Sequence, residues 1–100
     1  MSKQAVADRV RRRTLLAAST AQGRVVYPIW QFDGSKVNPD VTSILAVFRN
    51  AAVDGWAIAS WFTTPAASLD AATPVEWLRD GQEAAPVATL AQDTAHRWAR

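Results

Sequence analysis

The sequence contains no cysteine and only one histidine, His96. The lack of cysteine excludes a disulfide framework and every zinc site that depends on thiolate ligands. A lone histidine also disfavours a metal site built from imidazole groups, so we expect no metal ion. Because cysteine-free chains are typical of reducing compartments, we expect a cytoplasmic protein.

Long apolar runs and glycine-rich loops are also missing. No stretch approaches the roughly 18 uninterrupted apolar residues of a membrane helix, so no membrane association is expected. The four glycines are scattered, which argues against a phosphate-binding loop. His96 and Asp93 share one helix face; that pair could act as an acid and base but is more often a surface hydrogen bond. We expect neither an enzyme nor a cofactor.

The chain has the length of one domain and is 49% apolar, which suffices for a core. Its five tryptophans fit either that core or a protein interface. Residues 1–13 hold five cations and one carboxylate, whereas the remainder is slightly acidic. This basic head is either a solvated terminal helix or a contact for an anionic partner. Its candidate DNA-binding residues are Arg9, Arg11, Arg12 and Arg13.

Apolar spacing predicts a first helix over residues 2–21, capped by Ser2 and stopped by Gly23. Residues 24–32 are β-branched and aromatic, so they should be extended, and Pro28 restricts them to an edge or a hairpin arm. Residues 33–35 form a turn signal, followed by a short return arm at residues 37–39.

Four further helices are predicted. One is capped by Asp40, the next by Asp54, and the last begins near Ala85. Thr73 and Glu76, with a proline between them, form a capping box for the third of these helices. The fold class is therefore mainly α: a small helical bundle of about five helices with one short extended or β-hairpin segment.

Four segments occur in a recognisable order. They are Tyr27–Gly34 (YPIWQFDG), Trp61–Pro65 (WFTTP), Leu69–Gly81 (LDAATPVEWLRDG) and Val87–Ala91 (VATLA). Their order and spacing resemble those of the Xre/MbcA/ParS-type antitoxins over about residues 14–98. The resemblance implies a domain boundary near residue 22: residues 1–22 form a basic helix left from a DNA-binding or dimerisation region, and residues 23–100 form the toxin-binding domain.

The resemblance also implies a function. Such antitoxins bind toxins of the RES-domain class, which degrade nicotinamide adenine dinucleotide, and block the toxin's active-site cleft. The candidate toxin-binding residues are Arg97, Trp98 and Arg100 in the C-terminal segment, with Trp77 and Arg79 in the capped helix. A guanidinium suits a cleft that binds a pyrophosphate, which favours a binding role for the two arginines. The alternative is that they only stabilise the helix, because cations at a helix C-terminus interact favourably with the helix dipole. Trp98 is expected to have few neighbours of its own chain.

The sequence departs from the family in two places. The chain has no room for a complete helix-turn-helix unit, and Ala71 and Ala72 stand where the family has a glycine between its leucine and proline. The alternative function is a DNA-associated transcriptional regulator that acts as a dimer through the basic helix. A homodimer or larger assembly is expected in either case, since Leu15, Leu16 and the Tyr27–Phe32 segment would expose apolar surface.

Overall fold

Five α-helices and two short β-hairpins make up most of the regular structure in residues 2–99, the part of the chain that the computed structural model describes. The expected mainly α fold is confirmed. The helices are α1 (Lys3–Arg11), α2 (Pro39–Val47), α3 (Gly55–Phe62), α4 (Pro74–Arg79) and α5 (Ala85–Trp98). The strands are β1 (Ala18–Ser19), β2 (Val25–Val26), β3 (Phe32–Asp33) and β4 (Lys36–Val37), and 3-10 turns occupy Ile29–Gln31 and Ala67–Leu69.

The first helix ends ten residues earlier than the sequence predicts. It ends at Arg11, and Arg13 adopts a left-handed backbone with a φ of 59° that turns the chain away. Leu15 and Leu16 follow in a non-helical segment, where they are 3% and 1% exposed. Their burial corrects the expectation that they form an exposed patch for self-association. The helical spacing was misleading because both side chains are buried from a non-helical segment.

Two hairpins are present instead of one. The β3–β4 hairpin, with Gly34 at a φ of 66° in its turn, confirms the predicted turn and return arm. The β1–β2 hairpin was not predicted, because residues 18–19 were assigned to the first helix. Gly23, expected as a helix stop, lies in its turn at a φ of 80°. The pairing of Ala18 with Val26 crosses the domain boundary expected near residue 22.

The helix caps mostly follow the sequence. The Asp54 side chain caps α3 as predicted, by accepting from the Ala57 N–H at 2.9 Å. The prediction for α2 was wrong by two residues: the cap is Asn38, which accepts from the Asp40 N–H at 2.8 Å. Asn38 takes this place because Pro39 is well suited to the first helical position, where no N–H is needed.

The predicted capping box of α4 is confirmed. The Thr73 hydroxyl accepts from the Glu76 N–H at 3.0 Å, and the Glu76 carboxylate accepts from the Thr73 N–H at 2.9 Å. The bond from the Thr73 backbone lowers the pKa of Glu76, and the bond with the Thr73 side chain lowers it further. Two satisfied donors at one end and Gly81 at the other, with a φ of 76°, define this short helix sharply.

Ala71 is one of the two alanines that stand where the resembled family has a glycine, and its φ is 68°. The preceding Asp70 is also left-handed, with a φ of 55°. The Ala66 carbonyl accepts from the Ala71 N–H at 3.0 Å and the Ala72 carbonyl accepts from the Ala66 N–H at 3.1 Å, which closes the loop. The loop therefore keeps a glycine-type backbone although a methyl group is present.

We expect Ala71→Gly to stabilise the protein by roughly 0.5 to 1 kcal/mol, because the left-handed backbone costs an L-residue about 1–2 kcal/mol and the extra flexibility of glycine offsets only part of the gain. Thermal or urea unfolding measures the change. The matched control is Ala72→Gly, since Ala72 has an ordinary φ and should be destabilised by the same exchange. Equal destabilisation by both substitutions would contradict the prediction.

The core lies where α2, α3 and α5 meet. Its largest fully buried side chains include Phe48, Phe62 and Ile58, each 0% exposed. Leu69 is also 0% exposed, so it anchors the loop between α3 and α4 to the core. Leu16 joins the same cluster from the N-terminal segment. The core therefore recruits residues from nearly the whole length of the described chain.

The start of α3 presses directly on the segment that leads into β1. A Cβ atom built on Gly55 would lie 1.8 Å from the Ala17 carbonyl oxygen, well inside contact distance. Next to it, the Trp56 indole N–H donates to the Ser19 carbonyl at 2.6 Å. These two contacts place the first hairpin against α3.

None of the helices in residues 2–99 has the length and apolar character needed to cross a membrane.

Candidate interaction surfaces

Arg97 lies on the exposed side of the C-terminal helix, at the edge of a shallow hollow. One Nη group donates to the Thr94 hydroxyl at 3.2 Å, and the same hydroxyl accepts from the Trp61 indole at 3.1 Å. Thr94 is 2% exposed, so this bond ties an exposed guanidinium to the buried face of the helix. Besides Arg97, Thr94 and Trp61, the hollow is lined by Thr64, Pro65, Ala66 and Leu90.

Trp98 was expected to have few neighbours within its own chain, but its burial is greater than that. It is half-buried against the core, and its ring centroid lies 5.4 Å from that of Phe48. The reason is that α5 packs along α2, so the C-terminal end of α5 meets Phe48 at the end of α2. Trp98 therefore contributes to the packing of the core, and only the exposed part of its side chain can contact a partner.

Trp77 and Arg79 have different surroundings although both lie on α4. The Trp77 indole N–H donates to the Glu83 carbonyl at 2.8 Å, which anchors the connection between α4 and α5. Arg79 is exposed and borders a second hollow, lined also by Trp30, Phe32, Asp33, Asn38, Val41, Val75 and Leu78. This second hollow shares no lining residue with the one beside Arg97.

The five toxin-binding candidates therefore do not form one cluster in the described chain. Arg97 and Trp98 belong to the end of α5, whereas Trp77 and Arg79 belong to α4. Arg100 lies outside the described residues. Of the four described candidates, Arg79 and Arg97 are exposed and Trp77 and Trp98 are half-buried.

The N-terminal arginines fall into two groups. Arg9, Arg11 and Arg12 are exposed on or next to α1, and Asp8 forms ion pairs with Arg11 at 3.1 Å and with Arg12 at 3.2 Å. Such exposed pairs contribute little to stability. They do restrict where the two guanidinium groups point.

Arg13, the fourth DNA-binding candidate, differs from the other three because its side chain contacts the fold. Its guanidinium donates to the Val53 carbonyl at 3.0 Å in a partly buried contact. This bond spans 40 residues and holds the chain where it leaves α1. A contact between Arg13 and an anionic partner stays a prediction.

Gln31 is the most important residue that the sequence analysis did not single out. It is 0% exposed, and its amide bridges to the backbone of Leu16: it accepts from the N–H at 2.8 Å and donates to the carbonyl at 2.9 Å. It also donates to the Pro28 carbonyl at 3.0 Å. One feature of the sequence could have pointed to it: Gln31 carries the single amide of the otherwise apolar segment YPIWQF. If that segment is buried, the amide must be buried too, and a buried amide needs hydrogen-bond partners.

An apolar surface lies beside the hairpins. Ile29 is 85% exposed, and Val25 and Tyr27 are 48% and 40% exposed. Tyr27 also borders an apolar hollow, together with Val6, Leu15, Phe32 and Ser35. The expected exposure of the Tyr27–Phe32 segment is thus confirmed at Tyr27 and Ile29, and self-association through it stays a prediction.

Within residues 2–99, no three or more carboxylate and imidazole side chains are grouped so as to hold a metal ion. The structure defines a small, mainly α-helical domain with two β-hairpins and several shallow surface hollows. Comparisons with family models, with curated proteins and with solved structures find no match to this chain.

Proposed function

We propose that the chain is the toxin-binding part of an antitoxin that neutralises a RES-type toxin in the cytoplasm by binding directly over its active-site cleft. The proposal rests on the resemblance of the four motifs. The observation that carries it is where those motif residues lie. Phe62, Leu69, Leu78, Val87 and Ala91 come from three of the motifs and belong to one core.

The remaining motif, YPIWQFDG, is connected to the same core by hydrogen bonds. Gln31 of the YPIWQFDG segment bonds the backbone of Leu16, a core residue. In the Leu69–Gly81 segment, the left-handed Ala71 is one of the two alanines that stand where the family has a glycine. The motif positions thus have fold-maintaining roles, which supports a shared architecture with that family.

Arg97 is the residue that we propose to enter the toxin's cleft. It is exposed, and its bond to Thr94 holds the guanidinium at the rim of a hollow. A cleft that binds the pyrophosphate of a dinucleotide offers polar groups, often with a carboxylate, and a guanidinium bonds a carboxylate in a bidentate, charge-assisted manner. Binding there would exclude the dinucleotide.

The test is inhibition of the RES-type toxin that the proposal expects to be encoded beside this chain, followed as the loss of nicotinamide adenine dinucleotide while the protein is titrated in. We expect Arg97→Glu to weaken inhibition by at least about tenfold, which corresponds to roughly 1.4 kcal/mol. The control is Arg24→Glu, which makes the same charge change at an exposed residue of the β1–β2 turn. Both variants should keep the parent melting temperature within a few degrees, since both side chains are exposed.

A point substitution is a sharper test than deletion of the last residues of the chain. Such a deletion would remove Trp98, which packs on Phe48, and would therefore disturb the fold. Full inhibition by Arg97→Glu at unchanged concentration would show that this residue does not enter the cleft. Arg79→Glu then tests the hollow on α4 in the same assay. The absence of any inhibition by the parent protein would refute the proposed function itself.

A further inference from the structure

A groove separates the C-terminal half of α1 from the β3–β4 hairpin and the start of α2. It is the largest of the hollows described, at about 670 Å³. Seven of its nine lining residues are polar or charged: Asp8, Arg9, Arg12, Thr14, Ser35, Lys36 and Thr42, with Ala5 and Val37 as the others. Residues more than 20 positions apart in the sequence thus form its two walls.

Cations stand on both walls of this groove. Arg9 and Arg12 belong to the α1 side, and Lys36 belongs to the hairpin. Asp8 is the one carboxylate in the lining, so the groove carries two positive charges in excess. Within residues 2–99, neither Arg9 nor Lys36 takes part in an ion pair.

Asp8 orients Arg12 without occupying its whole guanidinium. The contact is to the Nε atom at 3.2 Å, which leaves the two Nη groups for a further acceptor. The Arg9 carbonyl at the end of α1 already accepts from the Thr14 N–H at 2.9 Å and from the Thr14 hydroxyl at 3.2 Å. The partial negative charge of this helix end is therefore partly offset where an anion would lie.

We propose that this groove binds the sugar-phosphate backbone of a nucleic acid. Guanidinium groups bond phosphate oxygens strongly, and an ammonium group supplies a point charge on the opposite wall. A trench with cations on both sides suits a narrow polyanionic strand better than a flat lipid surface. Contacts to phosphate add affinity without reading base sequence. This proposal is independent of toxin binding, since none of its residues borders the hollow beside Arg97.

Lys36 provides the sharpest test, because it is exposed and lies outside the basic N-terminal segment. Binding of a fluorescent random-sequence DNA duplex, and of the matching single strand, is measured by anisotropy between about 50 and 200 mM salt. We expect the parent protein to bind with a steep salt dependence. Lys36→Gln should weaken binding roughly three- to tenfold and reduce the slope of log K against log salt by about one.

The matched control is Arg24→Gln, which removes the same charge from the turn of the other hairpin. We expect it to leave the affinity and the slope nearly unchanged. Equal losses for Lys36→Gln and Arg24→Gln would show that net charge alone drives binding, and would overturn the assignment to the groove. No binding by the parent, or tighter binding to anionic lipid vesicles than to either DNA, would also overturn it.

Discussion

Replacing Gln31 with leucine should lower the free energy of unfolding by roughly 3 kcal/mol or more, the largest effect that we expect from a single substitution. Leucine fills a similar volume but satisfies none of the three backbone groups that the amide serves. The Leu16 N–H, the Leu16 carbonyl and the Pro28 carbonyl would each lose a partner. A buried polar group left unpaired costs about 1–3 kcal/mol.

Thermal unfolding followed by circular dichroism measures this effect. For a domain of this size, the loss corresponds to a fall of roughly 12–24 °C in Tm. Gln92→Leu is the matched control, since Gln92 is exposed on α5 and the same exchange there removes no described side-chain bond. A Tm for Gln31→Leu equal to that of the control would mean that the amide bridge contributes nothing to stability.

Gln31→Glu separates hydrogen bonding from side-chain shape. The carboxylate keeps an acceptor for the Leu16 N–H but opposes two carbonyl oxygens, and burial raises the pKa of such a group. The folded state then binds a proton that the unfolded state has released, so the stability of this variant falls as pH rises above about 4.3, the ordinary value for glutamate. We therefore expect its deficit relative to the parent protein to shrink between pH 7 and pH 5.

Gly55→Ala is the second substitution with a large expected effect, a loss of about 3 kcal/mol. The new methyl group would lie 1.8 Å from the Ala17 carbonyl oxygen and 2.8 Å from its carbonyl carbon. Both are backbone atoms, so relief requires a shift of the β1 segment or of α3. Either shift would disturb the bond between the Trp56 indole and the Ser19 carbonyl.

The direction of the stability change caused by Gly55→Ala distinguishes a close contact from an open helical position. At a helical position without a neighbour, alanine is about 1 kcal/mol more favourable than glycine. Gly23→Ala serves as a comparison, because Gly23 has open space but a φ of 80°, which limits its cost to about 1–2 kcal/mol. A Gly55→Ala protein as stable as the parent, or more stable, would show that the close approach to Ala17 is absent in solution.

Elements with strong local signals could be predicted from the sequence. The capping box of Thr73 and Glu76 requires only residues three apart, and the Asp54 cap and the turn at Gly34 are equally local. Local hydrogen bonds of this kind do not depend on where the rest of the chain lies. The periodic last helix was likewise predicted close to its observed bounds, because its buried residues follow one stripe.

The end of the first helix was not predictable in this way. The stretch Thr14–Ala21 has helical spacing, yet Leu16 is held in a non-helical segment by an amide 15 residues away. The same limit applies to the surfaces. The bond of Arg13 to Val53 and the position of Lys36 opposite α1 both depend on contacts between distant segments. Similarly, Trp98 is covered only because α5 ends beside Phe48.

The sequence by itself determined the helical class, the caps of α3 and α4, the β3–β4 turn and most of the helices of this protein, because each depends on interactions between residues a few positions apart. Only the tertiary structure decided which apolar and charged residues are buried, paired or exposed. Those outcomes depend on contacts between distant segments, such as Gly55 against Ala17 and Gln31 against Leu16. Such contacts leave no periodic signal in the chain, since a single glycine or amide at the right place is enough to create them.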